Sequence, residues 1–244
     1  LMNFPTIPSP KQSSGNKFVV SSGHRLASLE ALKVMQNGGN VVDAAIAGAA
    51  VLSVVLPYAC GLGGDMYVLI REGSSGKIHG INGTGCSPRA ATNDKFLEGI
   101  PRRGVKSATV PGMVKGWEDV LLRFGSVELK TLLQPAIKYA ENGFNAHSTY
   151  ISNTKANLDL LRENDYASDI FIPDNKPHPL KAKVRQPALA NTLNVIAENG
   201  VDEFYNGEIA YKIVHNLEIY GGLLQLQDFS EHETLWQNPI SANF

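Results

Sequence analysis

Charge of one sign is what this sequence most plainly lacks: 22 basic residues stand against 23 acidic ones, for a formal net charge of −1. With no Lys/Arg-rich block and no basic stripe interleaved with aromatics, nothing in it attracts nucleic acid or an anionic membrane surface. Cysteine is nearly missing as well. Cys60 and Cys86 form no CxxC pair, and two thiols cannot build a disulfide framework. Neither has His or carboxylate neighbours at the short spacing a zinc site needs, so no metal is expected. A single bridge between them stays open beside the preferred reading, two buried free thiols. The histidines are scattered (His24, His79, His147, His178, His215 and His232), with no HExxH and no nucleophile elbow. That sets aside zinc-protease and Ser-His chemistry. A long apolar run is missing too. The nearest to one, Val41 to Cys60, is broken by Asp43, Gly48, Ser53 and Pro57, so a buried core helix is expected there and not a membrane span.

What is present is a globular composition, 43% hydrophobic and 18% charged, in a chain long enough to bury an ample core. The first seventeen residues, LMNFPTIPSPKQSSGNK, are rich in Pro and Ser and read as an extended arm preceding a single unit over residues 18–244. They carry no charged-then-apolar export pattern, which makes the cytoplasm the expected compartment.

Residues 18–22 (FVVSS) read as a short strand. After them Leu29, Leu32 and Met35 share one helical face, and Gly38 supplies the left-handed stop. Asn40 then caps a second helix, Val41 to about Val55, with Asp43 near its N-terminal dipole. Apolar nearly all round and rich in Ala, that helix belongs in the interior. GLGG delivers the chain into DMYVLIRE, and GSSGK turns it back through IHGING, a β-hairpin. Helices are expected from Met113 to Phe124, over LKTLLQPAIKYAEN with Gly143 as its stop, and through STYISNTKANLDLLREND. FIPDNKPHPLKAKVRQ reads as a Pro-broken connection, too polar for the core. Two further glycine-stopped helices follow, in QPALANTLNVIAENG and GEIAYKIVHNLEIYGG. Glu30, Glu118 and Glu141 fall on helices and read as solvated faces. The class is α+β, with few strands for its length.

Seven segments, in this order, carry a resemblance: SSGHRLAS, NGGNVVDAA, VVLPYACGLGG, VPGMVKGW followed by FG, LLQPAIKYAENGF, IAENGVDEFYNG and YGGLLQLQDF. Together they resemble the N-terminal, large-subunit part of the γ-glutamyltransferase (glutathione hydrolase) family of N-terminal-nucleophile hydrolases. The resemblance implies a four-layer αββα sandwich of which this chain supplies the helix-rich part. It also implies a precursor that cleaves itself, exposing a threonine whose own α-amine acts as base. No such Thr-Thr pair occurs here, so no catalytic residue is expected within this chain. The partner implied is the second, small-subunit polypeptide of the same precursor, and higher homo-oligomers are also open. The implied substrate is a γ-glutamyl or other small amide, with neither metal nor organic cofactor.

One position departs from the family. Where the family places an arginine that grips the α-carboxylate of the γ-glutamyl group, this chain reads Asn82-Gly83-Thr84-Gly85, and Thr84 is the candidate substrate-binding residue. A hydroxyl cannot replace a two-pronged guanidinium, so weak activity on glutathione is expected unless Arg89, Arg102 or Arg103 reaches in. The plain alternative is that Thr84 only finishes a strand. Two rival functions follow: an acylase for a non-γ-glutamyl amide, and a paralogue that binds without catalysis. The family also usually carries more glycine after GLGG, where this chain has Asp65 and Met66. Asn82-Gly83-Thr84 matches a glycosylation sequon, which a chance three-residue match also explains.

Overall fold

A computed structural model describes residues 14–242, so most of the expected N-terminal arm lies outside the described residues. The first helix, α1 (Arg25–Gln36), is capped by His24, whose ring nitrogen accepts from the Leu26 N–H at 3.1 Å. It ends as expected. Gly38 takes φ +95°, its N–H reaching the Met35 carbonyl at 3.3 Å while Gly39 N–H reaches that of Val34 at 3.0 Å, the paired bonds of a Schellman stop.

Helix α2 (Val41–Val55) starts in a capping box between Asn40 and Asp43. Asp43 is fully buried. Besides Asn40 N–H it accepts from the backbone of Ser126 (2.9 Å) and Val127 (3.2 Å) and from the Ser126 hydroxyl (2.6 Å). Burial alone raises its pKa, but these bonds outweigh it and hold the carboxyl below the usual carboxylate range. The cap thus doubles as a long-range tie to the turn between α3 (Met113–Phe124) and α4 (Leu129–Asn142). Helix α2 runs between α1 and α4, close to α1 because Gly48 presents no side chain to Ala31.

After α2 the chain forms the hairpin β1 (Met66–Arg71) and β2 (Ile78–Gly83), antiparallel with Val68 opposite Ile81. A short pair follows later, β3 (Phe144–Asn145) with β4 (Lys183–Val184). Between them lie α5 (Ser148–Ala156), α6 (Leu158–Arg162) and α7 (Asp165–Phe171). The chain continues through α8 (Pro187–Asn199), α9 (Asp202–Tyr205), α10 (Glu208–Ile219), α11 (Leu226–Ser230) and β5 (Leu235–Gln237). Strand β5 pairs antiparallel with β2, so the sheet order is β1-β2-β5. The main core gathers Trp117, Leu133, Phe144, Tyr150, Phe204 and Phe229, all buried.

The sheet is one-sided. Val68 and Ile70 of β1 and Ile81 of β2 pack toward α3 through Val120, Leu121 and Phe124. On the opposite face Tyr67 is 73% exposed, Leu69 72% and Leu235 53%. Alternation along paired strands puts Asn82 on that same face, opposite Tyr67 and Leu235.

Four expectations need correction. Residues 18–22 form no strand and, among the described residues, pair with none. The Pro-broken connection reaches the core after all: Ile172 and Val184 are buried, and Gln186 donates to the Val54 carbonyl at 2.7 Å. Glu30 is buried, not solvated, because the Tyr139 hydroxyl, 109 residues away, donates to it at 2.9 Å alongside Lys33. The two cysteines are free, but Cys60 is only half-buried and Cys86, in the loop leaving β2, is exposed. Among the described residues no helix is long and apolar enough to cross a membrane.

Candidate functional site

The end of β2 meets two other backbone segments at close quarters. Gly64, closing the glycine-rich turn after α2, accepts from the N–H groups of Gly112 (3.2 Å) and Met113 (3.0 Å), at the start of α3. Val110 N–H donates to the Cys86 carbonyl at 3.1 Å. A side chain cannot enter this crossing. A Cβ on Gly85 would stand 1.5 Å from the Val110 carbonyl oxygen, and one on Gly112 would stand 2.2 Å from that of Gly83. Gly85 and Gly112 are therefore spent on backbone contact between the strand end and the segment that leads into α3, whereas Gly61 and Gly63 of GLGG face open space. Where the family carries more glycine, Met66 folds its thioether over Gly116 and Asp65 accepts from Gly85 N–H at 3.1 Å.

Thr84 sits at the rim of this crossing. Its N–H and its hydroxyl both donate to Asn82 Oδ1, at 2.9 and 2.6 Å. That turn holds Thr84 at the edge of the open sheet face, with its hydroxyl proton committed to a neighbour. Asn82 lies on the central strand of the sheet.

Behind the crossing a polar cluster fixes the Pro111–Gly112 corner. The Tyr205 hydroxyl donates to the Pro111 carbonyl at 2.7 Å and accepts from Lys115 N–H at 2.9 Å. Burial pushes the Tyr205 hydroxyl far above its ordinary range, so it stays protonated. His232 stacks on the Tyr205 ring with centroids 5.5 Å apart. Burial lowers its pKa, which keeps the imidazole neutral. Sequence reasoning left His232 as one scattered histidine. Its partner Tyr205 lies on α9, whereas His232 sits in the loop after α11, and nothing local in the sequence joins them.

The three arginines able to replace the missing guanidinium are dispersed. Arg89 is ion-paired with Glu231, and its N–H donates to Asp228 Oδ1 at 3.0 Å. Arg102 is exposed. Arg103 lines a separate cavity beside Tyr58 and Tyr150. Among the described residues Thr84 bonds to Asn82 alone, and no three His, Cys, Asp or Glu side chains converge on a metal-sized site. Burial raises the Cys60 thiol, which disfavours the thiolate a nucleophile would need.

The family described as gamma-glutamyltranspeptidase matches residues 27–244. The glutathione hydrolase-like YwrD proenzyme of Bacillus subtilis is 38% identical over 237 residues, which is 96% of this chain and 45% of that protein. The oxamate amidohydrolase proenzyme of Klebsiella pneumoniae is 32% identical over 89% of this chain and 43% of its own length. The crystal structure of Helicobacter pylori gamma-glutamyltranspeptidase superposes with a TM-score of 0.91 at 28% identity, covering 96% of this chain and 69% of that one. The chain thus spans less than half the length of these curated relatives, and its fold is that of the helix-rich part of an αββα N-terminal-nucleophile hydrolase. With matched residues running from α1 to the end of the chain, this protein belongs to the gamma-glutamyltranspeptidase family.

Proposed function

We propose that this chain is the large-subunit portion of a self-processed amide hydrolase or acyltransferase of the gamma-glutamyltranspeptidase type. The observation that carries the proposal is the bare apolar sheet face of Tyr67, Leu69 and Leu235, with Thr84 at its edge. An uncovered sheet face of this kind is what a second layer of the same sandwich would bury. The relatives named as proenzymes support a partner cut from the same precursor.

In this reading the second polypeptide begins with a threonine. Its α-amine, with an ordinary pKa of about 8, takes the hydroxyl proton as the oxygen attacks the amide carbonyl. The leaving amine departs with a proton, and water or an acceptor amine then opens the threonine ester. This chain contributes scaffold and one wall of the pocket. No metal or organic cofactor enters the scheme.

Thr84 favours a donor other than a γ-glutamyl amide. With its hydroxyl proton held by Asn82, it offers no charge to an α-carboxylate. The relative named for oxamate supports such a shift, since oxamate is a small amide without a γ-glutamyl group. The test is to express the complete coding sequence and compare a γ-glutamyl anilide with a short-chain acyl anilide. The acyl anilide is expected to show the higher kcat/KM, by about tenfold or more. Equal or better turnover of the γ-glutamyl compound would overturn the Thr84 reading. No turnover by a cleaved protein across a panel of amides would overturn the enzyme reading.

A further inference from the structure

One cavity lies apart from the crossing at Thr84 and takes no part in the scheme above. It opens where the chain leaves α2, between Pro57 and the helices α5 to α7, and holds about 280 Å³. Its apolar walls include Pro57, Leu161 and Phe171. Tyr150, 1% exposed, also lines it, and the Tyr150 hydroxyl has no hydrogen-bond partner among the described residues. Burial pushes that hydroxyl up to about 12, a rise the neighbouring Thr154 hydroxyl only partly offsets, so at neutral pH it is a protonated donor.

Two further polar groups complete the lining. Arg103 is exposed at the cavity and enters none of the ion pairs among the described residues. Asn157 gives an amide N–H to the Asn153 carbonyl at 2.9 Å, which leaves its side-chain oxygen as an acceptor. A guanidinium without a counter-charge and a buried hydroxyl without an acceptor call for the same thing, oxygen atoms carrying negative charge. Apolar walls call for a hydrophobic body on the same molecule, the usual composition of a small-ligand site.

We infer that this cavity binds a small carboxylate with an apolar or aromatic body, of the N-acyl amino acid class. Arg103 takes the carboxylate, Leu161 and Phe171 take the side chain, Tyr150 Oη donates to a ligand oxygen, and Asn157 Oδ1 accepts the ligand N–H. No residue of the Thr84 crossing lines this cavity, and the binding test needs no turnover, so its failure is distinguishable from failure of the catalytic reading.

N-acetyl-L-phenylalanine, titrated by saturation-transfer NMR and calorimetry into protein made from the complete coding sequence, tests this. Binding is expected, and it should weaken by about tenfold or more for the uncharged N-acetylphenylalaninamide and for Arg103→Ala. Arg103→Lys should restore part of it. Tyr150→Phe should weaken binding severalfold while leaving the thermal midpoint close to wild type, which separates ligand contact from folding. No binding at about 10 mM, or an affinity that Arg103→Ala leaves unchanged, would overturn the inference.

Discussion

Thr84 and Asn82 form a closed local unit: the Thr84 hydroxyl donates to Asn82 Oδ1 at 2.6 Å while the Thr84 N–H donates to the same oxygen at 2.9 Å. Because the backbone bond holds the turn, a substitution at Thr84 should leave the strand end in place. Thr84→Arg in the complete protein is therefore expected to fold and to raise kcat/KM for a γ-glutamyl substrate by roughly ten- to a hundredfold. Steady-state kinetics on a γ-glutamyl anilide check this. An unchanged value would mean that Thr84 lies off the substrate path.

The backbone crossing predicts a sharp contrast between two glycines. A Cβ at Gly112 would meet the Gly83 carbonyl at 2.2 Å, whereas one at Gly61 would meet nothing within 4 Å. Gly112→Ala should cost about 3 kcal/mol or more of stability, through displacement of β2 from α3. Gly61→Ala should be close to neutral. Urea unfolding of both variants beside wild type measures the difference.

Two helices begin on histidine caps. His24 accepts from Leu26 N–H at 3.1 Å and His147 from Tyr150 N–H at 3.3 Å, with the two rings 4.9 Å apart. Burial lowers both pKa values, and the neighbouring His147 lowers that of His24 further. The unfolded chain therefore binds more protons than the folded one as pH falls. The cap contribution is intact above about pH 6.5 and drains as pH drops through the lowered folded values. Protonation would also set charge against the positive helix ends. Stability should fall by about 1 kcal/mol per cap between pH 7 and pH 5, and His24→Asn, a cap that does not titrate, should remove its share. Urea midpoints across that range decide it; a flat wild-type profile would contradict the assignment.

The bare sheet face makes a prediction about assembly. Tyr67 and Leu69 contribute exposed apolar surface and little to this chain's own core. Tyr67→Lys with Leu69→Lys should leave the secondary structure of this chain intact by circular dichroism and improve its solubility. In the complete protein the same pair should block assembly with the second polypeptide, read as loss of the co-purifying chain. Normal co-purification would place that partner elsewhere.

What the sequence made legible is what local chemistry decides. The α1–α2 junction followed from Gly38, Asn40 and Asp43, because a Schellman stop and a capping box are built from residues a few positions apart. The β1–β2 hairpin and the span of α3 followed from turn residues and periodicity in the same way. What failed depends on distant partners. Glu30 looked solvated because Tyr139 is far along the chain, and β5 went unseen because three residues, Leu235 to Gln237, carry too little pattern without β2 beside them. Residues 18–22 have the composition of a strand, but composition does not supply a neighbour to pair with. The place of Thr84 came from resemblance, whereas its bond to Asn82 and the cavity shared by Arg103 and Tyr150 needed coordinates.

The central claim is that this chain works as one part of a self-cleaved precursor. Intact mass and N-terminal sequencing of every polypeptide in protein expressed from the complete coding sequence test it most directly. The account predicts two chains, the second beginning with threonine. A single uncleaved chain, with no threonine at a processing point anywhere in the product, would contradict it and leave the fold without its chemistry.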